Sequence, residues 1–221
     1  MLSSAALQII AILTMTVDHL GFYLFPNCEI FRIIGRIAFP LFAFLLAEGF
    51  MHTRSRSAYF YRILLAAVIT QPLCYISDGV TQTTYAHNVL FTLDFAFVAL
   101  MMAERGGYFL IGVPLIALLA SALNCEYGVF GVLLVVGFYY ARKIFTNNRI
   151  IRLMAQACIL AAMMLSLADY DSWGVQKWAL LAIVPIALYS GKKGRRLPRC
   201  FTYVYYPAHL LVLVILRLVF F

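Results

Sequence analysis

AALQIIAILTMTVDHLGFYLF at residues 5–25 and IFRIIGRIAFPLFAFLLAEGFMH at residues 30–52 decide the fold. Each is an apolar run of the length, about 17–25 residues, that a helix needs to cross a bilayer. Yet the first carries Asp18 and His19, and the second carries Arg32 and Arg36. Charge at membrane depth is costly, so an ionisable residue there marks a functional site by default. The turn at Pro26-Asn27 between the two runs folds them into an antiparallel hairpin.

The rest of the chain has the same character. Of its 221 residues 64% are hydrophobic and 12% charged, and the mean hydropathy is +0.92. A soluble domain carries about 25% charged and 45–50% apolar residues, so one core could not hide this much apolar surface. Lipid tolerates only helices and closed barrels as spanning elements, and long unbroken runs select helices over the short alternating segments of a barrel. The expected fold is all-α, a polytopic integral membrane bundle of about nine transmembrane helices. The spans are expected near 5–25, 30–52, 58–77, 87–103, 108–123, 126–143, 149–168, 173–190 and 201–220. The fifth is short, about 24 Å at the helical rise per residue, and reads as half-buried or re-entrant. With no internal repeat, linker or low-complexity stretch, residues 1–221 form one expected domain. The first run lacks a basic n-region, is long and carries the Asp-His pair, unlike a cleaved signal peptide.

The formal net charge is +8, but the charge is not laid out for nucleic acid. Arg54, Arg56 and Arg62 follow the second span, Arg105 the fourth, Arg142, Lys143, Arg149 and Arg152 the sixth, and Lys192, Lys193, Arg195, Arg196 and Arg199 the eighth. The opposite connections carry Glu29, Asp78, Glu126, Asp169 and Asp171. This alternation is the positive-inside pattern, with a cytoplasmic amino terminus and the carboxyl terminus on the far side. Of the five cysteines, Cys28 and Cys125 fall in far-side connections and would pair only in an oxidising compartment. No CxxC or His/Cys spacing points to a metal, and no Gly-rich phosphate loop is present.

If the hairpin turns between Asn27 and Cys28, His19 lies level with Arg36 and Asp18 about one residue deeper. Arg32 and Arg36, at i and i+4, share a helix face. Consecutive helical residues point about 100° apart, so an arginine bridging Asp18 and His19 is the expected arrangement. Two uses remain open here: a structural staple, or a reactive group built around an imidazole that titrates near neutrality. Glu48 and His52 form another i, i+4 pair at the cytoplasmic mouth, where Glu48 is either a base or the partner of Arg54. Pro40 frees a carbonyl and kinks its span. His87 and Asn88 cap the far end of the fourth span, with Asp94 near mid-membrane, and Tyr206-Pro207 places a kink beside His209. Lys177 and Arg217 are placed to snorkel to the far interface. Bases at the inner mouth and a His/Asp/Arg group in the outer half fit acyl transfer, which needs a base and an oxyanion donor. They fit proton-coupled transport as well.

ILTMTVDHLGFYLFP at 12–26 and FRIIGRIAFPLFAFLLAEGF at 31–50 with the following HTRS resemble the signature of the TraX family of conjugative-pilus inner-membrane proteins. NVLFTL at 88–93 and YYPAHLLVL at 205–213 are similar to that family's later blocks. The resemblance implies a multi-pass protein of the bacterial inner membrane that takes part in N-terminal acetylation of pilin, with acetyl-coenzyme A as donor. A more distant similarity joins AFPLFAFLLAEGF at 38–50 to the membrane acyltransferase-three proteins and heparan-alpha-glucosaminide N-acetyltransferase. Their first-span histidine corresponds to His19. Where the acyltransferase-three pattern has a basic residue about ten positions earlier, this chain reads Gln8-Ile9-Ile10, so coenzyme A contacts must come from the loops. The expectation is therefore an acetyltransferase in which His19, Asp18 and Arg36 are catalytic. Arg32, Glu48, His52, His87, Asn88, Tyr206 and His209 would face the acceptor, a pilin amine or an envelope saccharide. Arg54, Arg56, Lys192, Lys193, Arg195 and Arg196 would hold acetyl-coenzyme A, with no metal and no nucleic acid involved.

Overall fold

A computed structural model describes residues 1–81, 86–168, 174–195 and 198–220. Among these residues the regular structure is helical, and the only β-type contacts are isolated bridges, Leu2 to Tyr189 and His87 to Cys125. Helix α1 spans Ser4–Leu24, α2 Glu29–Gly35, α3 Ala38–His52, α4 Arg56–Thr81 and α5 Val89–Arg105. A 3-10 turn, Gly107–Ile111, leads into α6, Gly112–Ala122, followed by α7, Gly128–Ile144, and α8, Arg149–Ala168. A second 3-10 segment, Gln176–Ala182, leads into α9, Ile183–Ala187, and α10 spans Arg199–Phe220. Among the described residues five helical stretches are long and apolar enough to cross a bilayer: α1, α2 with α3, α4, α8 and α10. The protein is a multi-pass, all-helical membrane protein.

Three of the expected spans are interrupted, each in the same way. Helices α3, α6 and α9 all carry proline at their third position: Pro40, Pro114 and Pro185. Proline is tolerated in a helix's first turn, but it offers no N–H to the carbonyl four residues back and its ring crowds that carbonyl. The carbonyls lost in this way belong to Arg36, Leu110 and Leu181, and the helical ladder changes at each of them. The second span was expected to bend at Pro40. It instead breaks into α2 and α3 at Arg36-Ile37, one turn upstream of the ring. The fifth and eighth expected spans begin as 3-10 turns for the same reason.

Local signals set the ends of the other helices. The Ser3 hydroxyl accepts from the Ala6 N–H at 3.2 Å to cap α1, and Asn88 caps α5 through Leu90 N–H at 3.1 Å. Close approach then joins α1 to α2. A Cβ on Gly21 would stand 2.3 Å from the Phe31 Cβ, and one on Gly35 would stand 2.1 Å from the Asp18 Cβ. These two glycines let the backbones meet, as small residues do between membrane helices.

The apolar interior has two parts. The larger packs α1, α3, α5, α7, α8 and the Gln176–Ala182 segment around Phe50, Phe97, Phe138 and Leu134. The smaller joins α1 to α10 through Met15, Tyr23, Tyr206 and Leu210. Helix α1 contributes to both, so polar groups along it lie where the two cores meet.

Candidate functional site

A cavity of about 1240 Å³ runs along this seam. Its lining includes Ser4 and Gln8 near the start of α1 and Asp18, His19 and Tyr23 near its end, so it extends over most of the helix. From Ser4 to Asp18 the helical rise covers about 21 Å. At the end where α1 begins, the lining carries Arg54, Arg62 and Lys193 with His52 and Tyr59. At the end of the α1–α2 turn it carries Asp78, His87, Glu126 and Tyr127. Basic residues line one mouth, acidic residues line the other, and the intramembrane charges lie between them.

Asp18 is the pivot of the central group. Its carboxylate accepts from Arg32 Nη1 at 2.7 Å and from Arg36 Nη2 at 2.7 Å to each oxygen. Arg32 also reaches the Asp18 carbonyl at 3.4 Å. The Arg36 Nη1 donates to Gln176 Oε1 at 3.3 Å, and the Gln176 amide rests on the Met164 sulfur at 3.2 Å. Arg36 Nε is buried with no hydrogen-bond partner. Because α2 breaks at Arg36, both guanidinium groups bend back onto the carboxylate that the bare Gly35 face leaves room for.

His19 takes a different partner from the expected one. Instead of an arginine bridging Asp18 and His19, both arginines serve Asp18, and His19 Nδ1 lies 2.6 Å from Nε2 of His209 on α10. His209 Nδ1 in turn lies 2.8 Å from the Tyr205 carbonyl. The hydroxyl of Tyr205 meets Thr16 Oγ1 at 2.8 Å, which ties α10 to α1 one turn before His19. The reason is the 100° step between consecutive helical residues: it sends Asp18 toward α2 and His19 toward α10. His19 nonetheless lines the same cavity as Asp18, Arg32 and Arg36.

The remaining expected residues separate into those on the cavity and those off it. His52, His87, Asn88, Tyr206, Arg54 and Lys193 line it, whereas Glu48, His209, Arg56, Lys192 and Arg195 do not. Arg196 lies outside the described residues. Glu48 pairs with Arg142 of α7 at 3.0 Å rather than with Arg54, because α3 and α7 pack side by side. Arg56 donates to Glu104 at 2.6 Å and lies over the Phe50 ring, so its charge is already used between α4 and α5. Asn88 is bound to Gln71 at 2.8 Å and to the Ala67 carbonyl at 3.0 Å, which with its capping bond makes it a helix-joining residue. His87 and His52 each give Nδ1 to a carbonyl, Leu123 at 2.6 Å and Glu48 at 2.8 Å. Arg217 donates to the Tyr23 carbonyl at 3.0 Å, at the end of α1. Cys28 and Cys125 are free thiols.

Four lining or supporting residues were not among the expected site residues: Glu126, Tyr127, Gln176 and Arg62. Glu126 and Tyr127 sit in the α6–α7 connection, where Asn124 and Tyr127 adopt left-handed backbone at φ 52° and 60°. Such conformations cost a non-glycine residue about 1–3 kcal/mol and persist only when the surroundings impose them. Here the His87–Cys125 bridge and the Phe39 ring, stacked on Tyr127 at 3.8 Å between centroids, hold the connection. Protein surrounding Glu126 raises its carboxyl pKa, against the opposing pull of Arg36. Among the described residues no cation stands within ion-pair distance of it. Arg62, at the other mouth, has a buried Nε without a partner.

Residues 3–217 match the family model described as TraX protein. The chain is 34% identical to the probable fimbrial assembly protein FimC, serogroup H1, of Dichelobacter nodosus, covering 96% of this chain and 94% of that protein. It is 29% identical to Protein TraX of Escherichia coli, covering 96% of this chain and 86% of that one. No solved structure matches. With the first-helix Asp-His pair, the arginine hairpin and the α10 histidine all inside the matched region, the chain belongs to the TraX protein family.

Proposed function

We propose that the protein is an integral inner-membrane acetyltransferase that moves an acetyl group from acetyl-coenzyme A to the N-terminal amine of pilin. The observation that carries this reading is the single cavity joining a basic mouth to His19 and ending at an acidic one. A phosphate-rich donor suits Arg54, Arg62 and Lys193; a cationic amine suits Glu126 and Asp78. Electrostatic complementarity of this kind selects partners and sets their orientation. The alternation of basic and acidic connections supports about nine crossings with the amino terminus and the basic mouth cytoplasmic. The resemblance of the first two helices to pilin-acetylating proteins supports the donor and acceptor.

The chemistry follows from the groups present. Glu126 holds the acceptor as an ammonium ion, which gives one proton to solvent in the cavity before it attacks. The free amine nitrogen then attacks the thioester carbonyl, forming a C–N bond as its second proton passes to His19 Nε2. The oxyanion gains the field of Arg32 and Arg36. The C–S bond breaks, and the coenzyme A thiolate leaves with the proton that His19 returns.

The test is transfer from labelled acetyl-coenzyme A to pilin by the purified protein in liposomes. His19→Ala should lower transfer at least about a hundredfold, the scale of a lost general base. Undiminished transfer removes His19 from the reaction. Donor-independent, proton-driven uptake by the wild type would place the protein among transporters instead.

A further inference from the structure

We infer that His209 is a positioning residue that fixes which nitrogen of His19 is the base, an assignment that rests on His19 being the base. The sequence placed His209 toward the acceptor, beside the Pro207 kink, but it lies behind His19 and does not line the cavity.

The assignment follows from counting protons along a short chain of atoms. The Tyr205 carbonyl accepts and cannot donate, so His209 Nδ1, 2.8 Å away, carries the proton of that contact. A neutral imidazole has one N–H, which leaves His209 Nε2 as a lone-pair nitrogen. It faces His19 Nδ1 at 2.6 Å, so His19 Nδ1 carries its own proton and donates. The one lone pair left on His19 is at Nε2, on a side chain that lines the cavity. The order is Tyr205 C=O, His209, His19, cavity, and each link sets the next.

Ring geometry agrees. The His19 and His209 planes are 11° apart with centroids 4.9 Å apart. With nitrogens 2.6 Å apart, that centroid separation means rings joined edge to edge in nearly one plane, where an imidazole lone pair lies. His209 itself is held by the Tyr205 ring, 5.1 Å from its centroid and 16° from parallel, and Tyr205 is held by Thr16. When His19 takes the acceptor's proton at Nε2, both its nitrogens become donors, and the bond to His209 becomes charge-assisted and stronger. That bond thus strengthens as the reaction protonates His19. This is the part a carboxylate plays toward histidine in hydrolase triads, supplied here by a second imidazole and a backbone carbonyl. Asp18 is not available for it, being bound to two arginines.

Two measurements on the full-length protein in liposomes test this. In histidine labelled with ¹⁵N, the His19 ring, identified by its loss in His19→Ala, should show Nδ1–H and a bare Nε2. His209→Leu should shift His19 toward the Nε2–H form and lower kcat about a hundredfold, with both KM values little changed. His209→Gln, whose amide oxygen accepts where Nε2 did, should restore most of the rate and the Nδ1–H form. The assignment is overturned if wild-type His19 carries its proton on Nε2, if His209→Leu keeps the wild-type rate, or if Gln does no better than Leu. Should His209→Leu fail to fold, the wild-type tautomer and the Gln variant decide it. A fully active His19→Ala protein would instead sink the reading of His19 as base.

Discussion

Asp18 carries the largest consequence of any single side chain here. It is 7% exposed and pairs with two guanidinium groups inside the bilayer. Removing one member of a buried charge group strands the others, at a cost of about 3–5 kcal/mol. Asp18→Asn should therefore lower the midpoint of thermal unfolding in detergent sharply and abolish transfer. A triple change of Asp18, Arg32 and Arg36 to leucine separates the two roles the sequence left open. It removes all three charges together, so stability should largely return while transfer does not; recovery of transfer would reduce the group to a staple. Which histidine partner His19 takes was not legible from the chain, because His209 lies 190 residues away. Its neighbour Asp18 was legible, since both its arginines sit across one turn.

Helix breaks place these groups. Proline at the third position of α3, α6 and α9 ends three ladders one turn earlier than the ring itself. The sequence announced the prolines, but not where the backbone would give, which depends on the carbonyl four residues back. Gly35 is the companion device, because only a bare Cα fits against the Asp18 side chain. Gly35→Ala should push α2 off α1 and cost about 1–3 kcal/mol, the usual price of overpacking. Transfer should fall further than stability, since Arg32 and Arg36 move with α2. Unchanged activity in a stable Gly35→Ala protein would show that the α1–α2 approach is not needed.

The cavity as a whole is polarised, and its two ends should fail separately. Arg54→Ala combined with Lys193→Ala should raise the KM for acetyl-coenzyme A and leave that for the acceptor alone. Glu126→Gln should do the reverse. In the wild type the acceptor KM should rise as pH falls, beginning above the ordinary carboxylate range, because the protein around the cavity raises the Glu126 carboxyl and its negative charge is what holds the amine. Glu126→Gln should flatten that rise. Equal effects of both changes on both substrates would mean the two mouths do not sort them.

Composition and run length were enough for the class of the protein: a chain that is 64% hydrophobic with helix-long apolar runs has no water-soluble solution. The Asp18 and arginine contact was equally readable, since a two-residue turn leaves a hairpin almost one register. The partners of Glu48, Arg56 and His19 were not readable, nor was the entry of Glu126 into the cavity. Those contacts join helices far apart in the chain, and their packing angles follow from which small and large side chains meet. A helical sequence fixes the direction of each side chain around its own axis, but not which neighbouring axis it will face.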